Sequence, residues 1–263
     1  MNSVRVEREG AIARITLDRP DAGNAIDLAL AQALAVAAGE CASDSSIRCV
    51  ILTGAGRFFC VGGDVSAFAA AGSEAPAFLR TLADTLHGAI VALARMPKPL
   101  VVAVNGPAAG AGLSLALLGD MVIAARSVHF TAAYTGIGLT PDGGMSWLLP
   151  RLVGLRRAQS MILTNERVAA ADAAAIGLIT SMVEDADLRR NVDVIADRLA
   201  GSPIAAIGAA RGLLLDGAAA RFEQQLDREA ESISQAGARP EAREGVAAFL
   251  ARRKPDFAGQ GAE

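Results

Sequence analysis

Twice in this chain a short, unbroken apolar run feeds directly into a stretch of small residues. Residues 49–53 (CVILT) lead into 54–64 (GAGRFFCVGGD), and residues 100–104 (LVVAV) lead into 105–112 (NGPAAGAG). Five apolar residues without alternation are too few for a helix and fit a parallel strand buried on both faces. Each small-residue loop is followed by helical patterning. Across 74–95, Phe78, Leu82, Leu86, Ile90 and Leu93 fall on one face, and an Ala/Leu-rich run extends from 111 to near Gly119. Repeated strand, loop and helix build an α/β fold on a parallel sheet, whose ligands bind outside the carboxyl ends of the strands.

The remaining segments fit around that unit. Residues 4–8 and 11–17 alternate apolar and polar about Gly10 and read as a β-hairpin. Asp27 is placed to cap a helix running to about Cys41. A third buried strand is predicted at 121–124, and 136–144 is a Gly/Pro turn region. Beyond about residue 180 only helical spacing remains. Leu188, Val192, Ile195 and Leu199 share one face, as do Phe222, Leu226, Ala230 and Ile233. We therefore divide the chain into an α/β core over 1–195 and a helical region over 196–263. The strand–loop–helix order recurs without a clear numerical repeat.

The chain has 263 residues, 52% hydrophobic and 20% charged, so one domain with a substantial core is expected. The net charge of −3 gives no basic surplus for nucleic acid or an anionic membrane. The N-terminus lacks an apolar signal region, and apolar stretches are broken before about 18 residues, so no membrane span is expected. Cys41, Cys49 and Cys60 are an odd set without CxxC spacing, as reduced thiols of a cytoplasmic protein would be. His87 and His129 are the two histidines, too few for a histidine-rich metal centre, and neither is assigned a catalytic role.

The loops have two readings each. Gly54-Ala55-Gly56 after a strand suggests a dinucleotide fingerprint, but the third glycine and the following acidic strand end are not where that fingerprint needs them. The other reading is a tight connection. The 105–112 segment opens a helix, whose first N–H groups lack intrahelical partners and face an approaching oxyanion. Its alternative is close strand–helix packing. Two such loops side by side could converge two N–H groups into an oxyanion hole, each donor contributing about 3 kcal/mol. That chemistry needs no metal, and the chain contains no GxSxG nucleophile elbow.

At these residues the sequence resembles the crotonase superfamily, the enoyl-CoA hydratase/isomerase family. The resemblance covers nearly the whole chain. It is carried by RPDAGNAID (19–27), GAGRFFCVGGDV (54–65), PKPLVVAVNGPAAGAGLSLALLGDMVIAAR (97–126), GLTPDGGMSWLLPRLVG (138–154) and REGVAAFLARRKPDF (243–257). It implies a repeated ββα spiral with a C-terminal helical region that forms trimers or hexamers. It also implies an acyl-CoA thioester as substrate, with coenzyme A part of the substrate and no separate cofactor. The two oxyanion donors fall on Gly63 and Ala111. Backbone around Ala25 and from Gly62 through Asp64 to Val65, with Gly110, faces the ligand. Late residues, Lys254 among Arg252 and Arg253 and the following Phe257, meet the phosphates and adenine.

The sequence departs from the family where hydration is performed. Hydratases of the family use two glutamates; Ser114 and Tyr134 stand at those positions. Neither is a general base at neutral pH, since a phenol titrates near about 10. Asp142, in Thr140-Pro141-Asp142-Gly143-Gly144, is a turn or cap residue by composition. By resemblance it matches the single acid/base of enoyl-CoA isomerases, and the text around it is most similar to isomerases of bacterial phenylacetate breakdown. Phe68, Tyr134, Ile137 and Trp147 are candidates for an apolar pocket that would assist such an acid and equally candidates for the core, with core the preferred reading for Trp147. Asp64 is read as fixing its loop, and Asp120 as pairing with a cation. The resulting expectation is an acyl-CoA isomerase acting through Gly63, Ala111 and Asp142. A hydratase, a thioester hydrolase and a non-catalytic acyl-CoA binder are the alternatives.

Overall fold

The computed structural model describes residues 3–257. The hairpin forms as β1 (Val4–Glu9) and β2 (Ile12–Leu17), followed by α1 (Leu28–Ser43) and β3 (Cys49–Gly54). Next come α2 (Val65–Ala70), α3 (Ala75–Arg95), β4 (Leu100–Val104), β5 (Ala108–Ala109) and α4 (Ala111–Ala116). β6 (Met121–Ala125), β7 (His129–Thr131), α5 (Met145–Val153), α6 (Leu155–Thr164), β8 (Val168–Ala169), α7 (Ala170–Ala175) and β9 (Ser181–Val183) complete the α/β part. Four helices close the chain: α8 (Leu188–Ala200), α9 (Ile204–Gly217), α10 (Phe222–Gly237) and α11 (Pro240–Leu250).

A six-stranded sheet runs in the order β1-β2-β3-β4-β6-β9, and a smaller one in the order β5-β7-β8. Only the β1–β2 pairing is antiparallel in the large sheet. The two apolar runs are the neighbouring central strands β3 and β4, whose core residues are buried as parallel pairing between two helical layers requires. After its strand in the large sheet, each turn of the chain adds a short extended piece that pairs with the turn before. Ile26 bridges Gly63, Cys60 bridges Ala108, and β5 pairs with β7. Strand, short strand, helix is the ββα unit, so the chain winds as the expected spiral.

β2 differs from its alternating pattern, since all six residues are buried. α1 packs near one side and α8 near the other. Arg14 is 6% exposed and pairs with Asp193 of α8, which is how a polar position tolerates that cover. The helix cap at Asp27 forms as read, its Oδ1 accepting from Leu30 N–H at 2.7 Å.

Further expectations need correction. Beyond residue 180 the chain is not all helix, since β9 (Ser181–Val183) joins the edge of the large sheet. Gly72–Arg95 is long and apolar enough to cross a membrane by length and composition, contrary to the reading of interrupted apolar stretches. In the fold its stripe of Leu82, Leu86, Ala89, Ile90 and Leu93 is buried, and the helix packs on α1. The division at residue 195 falls inside α8. That helix packs against β2, β3, β4 and β6 down to Ala196 and Ala200, so the α/β body extends to Ala200. The helical region then begins at α9, and residues 258–263 of it lie outside the described residues.

The 19–27 turn is held by Asn24, which is fully buried with φ 57°. Its Nδ2 donates to the carbonyls of Ala55, Phe58 and Phe59 at 3.0, 2.8 and 3.1 Å, and its Oδ1 accepts from Arg19 N–H at 2.9 Å. Replacing Asn24 with Ala leaves buried backbone groups unpaired and should lower stability by about 2–3 kcal/mol in chemical denaturation.

Candidate active site

The two loops meet through backbone. Ala109 N–H donates to Cys60 C=O at 2.9 Å and Cys60 N–H to Pro107 C=O at 3.3 Å. Gly112 makes the contact possible, because a Cβ there would lie 2.1 Å from the Cys60 carbonyl oxygen. Gly63 stands three residues beyond Cys60, and Ala111 three beyond Ala108, at equivalent positions of consecutive turns.

Neither Gly63 N–H nor Ala111 N–H reaches an acceptor among the described residues. For Gly63 the reason is its pairing with Ile26. Ile26 bonds the Gly62 carbonyl and the Asp64 N–H, so Gly63 directs its own polar groups away from that strand. For Ala111 the reason is its place at the start of α4, whose first bond runs from Ser114 N–H to Gly110 C=O. Both residues line one cavity of about 440 Å³.

Asp142 and Tyr134 line the same cavity, as do Gly62, Val65 and Gly110. Tyr134 Oη donates to Asp142 Oδ1 at 2.5 Å. Burial, and then the Asp142 charge, push the Tyr134 phenol well above its ordinary pKa, so it remains a donor. Ser114 is fully buried, with its Oγ donating to the Asp142 carbonyl at 3.0 Å. The positions that departed from the hydratase pattern thus surround the one remaining carboxylate.

The apolar wall comes from α2, α3 and the turn after β7. Phe68, Leu82, Leu86, Ile137 and Leu139 contribute to it. The sequence reading placed Leu82 and Leu86 on one helix face, and that face serves both the core and the cavity. Trp147 is neither core nor part of this cavity. It is half-buried, lines a second cavity beside α3, and carries the Arg151 guanidinium over its ring at 3.9 Å.

Asp64 caps α2 through Ala67 N–H and pairs with Arg19 at 3.1 Å. Arg19 also reaches Asp27 at 3.2 Å and donates to the Ala25 carbonyl at 2.5 Å. One guanidinium therefore joins the caps of two helices beside the first donor loop, a role the sequence did not reveal. Asp120 pairs with Arg211 at 2.7 Å. Lys254 is exposed, and neither it nor Phe257 lines the cavity; Phe257 packs by Gly245 of α11. The three cysteines are buried and unpaired, and among the described residues no cluster of side chains is arranged to hold a metal.

A family model described as enoyl-CoA hydratase/isomerase matches residues 7–260. The chain belongs to the enoyl-CoA hydratase/isomerase family. It is an enzyme of the crotonase superfamily, and its fold is that of the superfamily. A Rhodobacter capsulatus protein named "Probable enoyl-CoA hydratase" is 40% identical over 98% of this chain and 99% of its own length. The 1,2-epoxyphenylacetyl-CoA isomerase of Escherichia coli is 38% identical over 96% of this chain and 97% of its own. The crystal structure of an enoyl-CoA hydratase from Polaromonas sp. JS666 superposes with a TM-score of 0.92 at 32% identity, covering 96% of this chain and 98% of that one.

The loop contact gives a direct test of the geometry. Gly112→Ala should force the two donor loops apart, lowering both the melting temperature and turnover of acyl-CoA substrates. A variant with wild-type melting and activity would show that the loops tolerate separation.

Proposed function

We propose that this family member is an acyl-CoA isomerase in which Asp142 is the single proton carrier. The observation that carries the reading is the placement of the Asp142 carboxyl in the cavity of Gly63 and Ala111, with Ser114 and Tyr134 in place of the acids that hydration uses. The thioester oxygen accepts from Gly63 N–H and Ala111 N–H. Asp142 takes a proton from the α-carbon, and the electron pair moves into the carbonyl as an enolate. Two donors of this kind stabilise that charge by about 3 kcal/mol each. The same carboxyl then returns the proton to the γ-carbon, so a 3-enoyl thioester becomes a 2-enoyl thioester. Atoms and electrons balance with no added cofactor. Tyr134 occupies Oδ1 and leaves Oδ2 to carry the proton.

The name of the 40% identical relative favours a second reading, hydration, with Tyr134 and Asp142 orienting water. A panel of 2-enoyl-, 3-enoyl- and aromatic acyl-CoA thioesters, read for isomer, hydrate and free CoA, separates the two. Isomer should dominate and hydrate should be minor. Asp142→Asn should reduce turnover by at least about 100-fold while thioester binding stays measurable. Wild-type turnover in that variant would remove Asp142 from the mechanism.

We also propose that the enzyme works as a homotrimer or a pair of trimers. α9 buries no residue within its own chain, and Phe222, Leu226, Ile233 and Phe249 stand exposed on the helices that follow. Ala25, Lys254 and Phe257 then belong to coenzyme A sites completed between subunits. Sedimentation should give a multiple of three times the 26.8 kDa chain mass. Ile233→Asp should shift that mass toward a single chain.

A further inference from the structure

Asp142 and Gly143 share one peptide unit, and a side chain holds each of its polar atoms. On one side Ser114 Oγ donates to the Asp142 carbonyl at 3.0 Å. On the other, Gly143 N–H donates to His87 Nε2 at 3.2 Å. The two grips come from different elements, α4 and α3. The turn between them is held closely as well. Gly143 has φ +62°, and a Cβ built on it would stand 2.8 Å from Ser114 Cβ and 3.2 Å from Ile90 Cδ1. The peptide following Asp142 therefore has its plane set at both ends, and the carboxyl hangs from the Cα next to that plane.

We propose that His87 is a positioning residue for the proton carrier, acting with Ser114 as a two-sided clamp on the Asp142–Gly143 peptide. The proposal rests on Asp142 being the acid/base. His87 does not line the cavity, so it acts through Asp142 and not on substrate. Losing the imidazole frees the Gly143 N–H while Ser114 Oγ and Met145 N–H still hold the carbonyl, so the peptide tilts about that anchored end and Oδ2 no longer stays on the line between the α- and γ-carbons. Proton transfer is steep in position, and a displacement of about 1 Å costs up to about 100-fold. The His87 side chain is exposed, but Gly143 is buried, so losing the acceptor costs stability as well as rate, and the two are read separately. As the acceptor here, Nε2 is unprotonated and the ring proton is on Nδ1.

The test uses the full-length protein and 3-enoyl-CoA isomerisation. His87→Leu removes the acceptor. His87→Gln places Oε1 about as far along the side chain as Nε2, while His87→Asn stops short, near the reach of Nδ1. In the Leu and Asn variants, kcat should fall about tenfold with KM within about twofold, and in the Gln variant kcat should return to within about threefold of wild type. Leu and Asn both leave the buried Gly143 N–H unpaired and should lower the melting temperature modestly, so kcat is read on fully folded protein below both transitions, where Asn against Gln carries the comparison. Wild-type kcat in both Leu and Asn, or a Gln variant as slow as Leu, would overturn the clamp while an inert Asp142→Asn left the proton carrier standing. Turnover by Asp142→Asn would remove the carrier and the clamp with it.

Discussion

The structure depends on one close approach of backbone to backbone. The loop after β3 lies on the segment after β4 through the Cys60–Ala108 bridge, with Gly112 against the Cys60 carbonyl. A methyl group at Gly112 would prevent that contact. With it, Gly63 and Ala111 face one cavity with N–H groups that no acceptor among the described residues takes. The site is thus a by-product of how consecutive turns of the spiral pair. Main-chain donors held this way need no reorganisation when negative charge develops between them.

Around that fixed pair the side chains do different work. Arg19 and Asn24 hold the first loop from below, by two helix caps and by the Asn24 amide's bonds to three backbone carbonyls. α3 supplies the apolar wall and anchors it on α1. Ser114, Tyr134 and His87 all bear on the Asp142 turn. In the proposed mechanism, electrostatic stabilisation comes from the backbone, and proton handling from a small set of side chains on separate elements.

Much of this was legible in the sequence because it follows from local rules. The unbroken apolar runs at 49–53 and 100–104 read as buried neighbouring strands, and Asp27 read as a helix cap. The resemblance pointed to Gly63 and Ala111, whose N–H groups meet no acceptor among the described residues. What was not legible depends on partners distant in the chain. β2 looked half-exposed because its cover, α8, lies far along the sequence and brings Asp193 to Arg14. α2 is too short for periodicity to mark, although Phe68 on it lines the cavity. Trp147 was read as core because its size suggests burial, whereas Arg151 one helical turn later stacks on its ring. His87 sits beside apolar positions of α3 without any local signal, since its contact is with a loop that follows four strands and a helix later.

The pairing of Cys60 with Ala108 also sets how the donor pair can fail. Parallel strands cannot slide by fractions. A one-residue slip turns side chains to the opposite face, and a two-residue slip displaces one N–H by about 6.6 Å relative to the other. No intermediate register leaves the donors slightly wrong. The distance between them is quantised by the pleat, so gradual tuning of the enolate site has to come from what surrounds the donors, and never from their spacing.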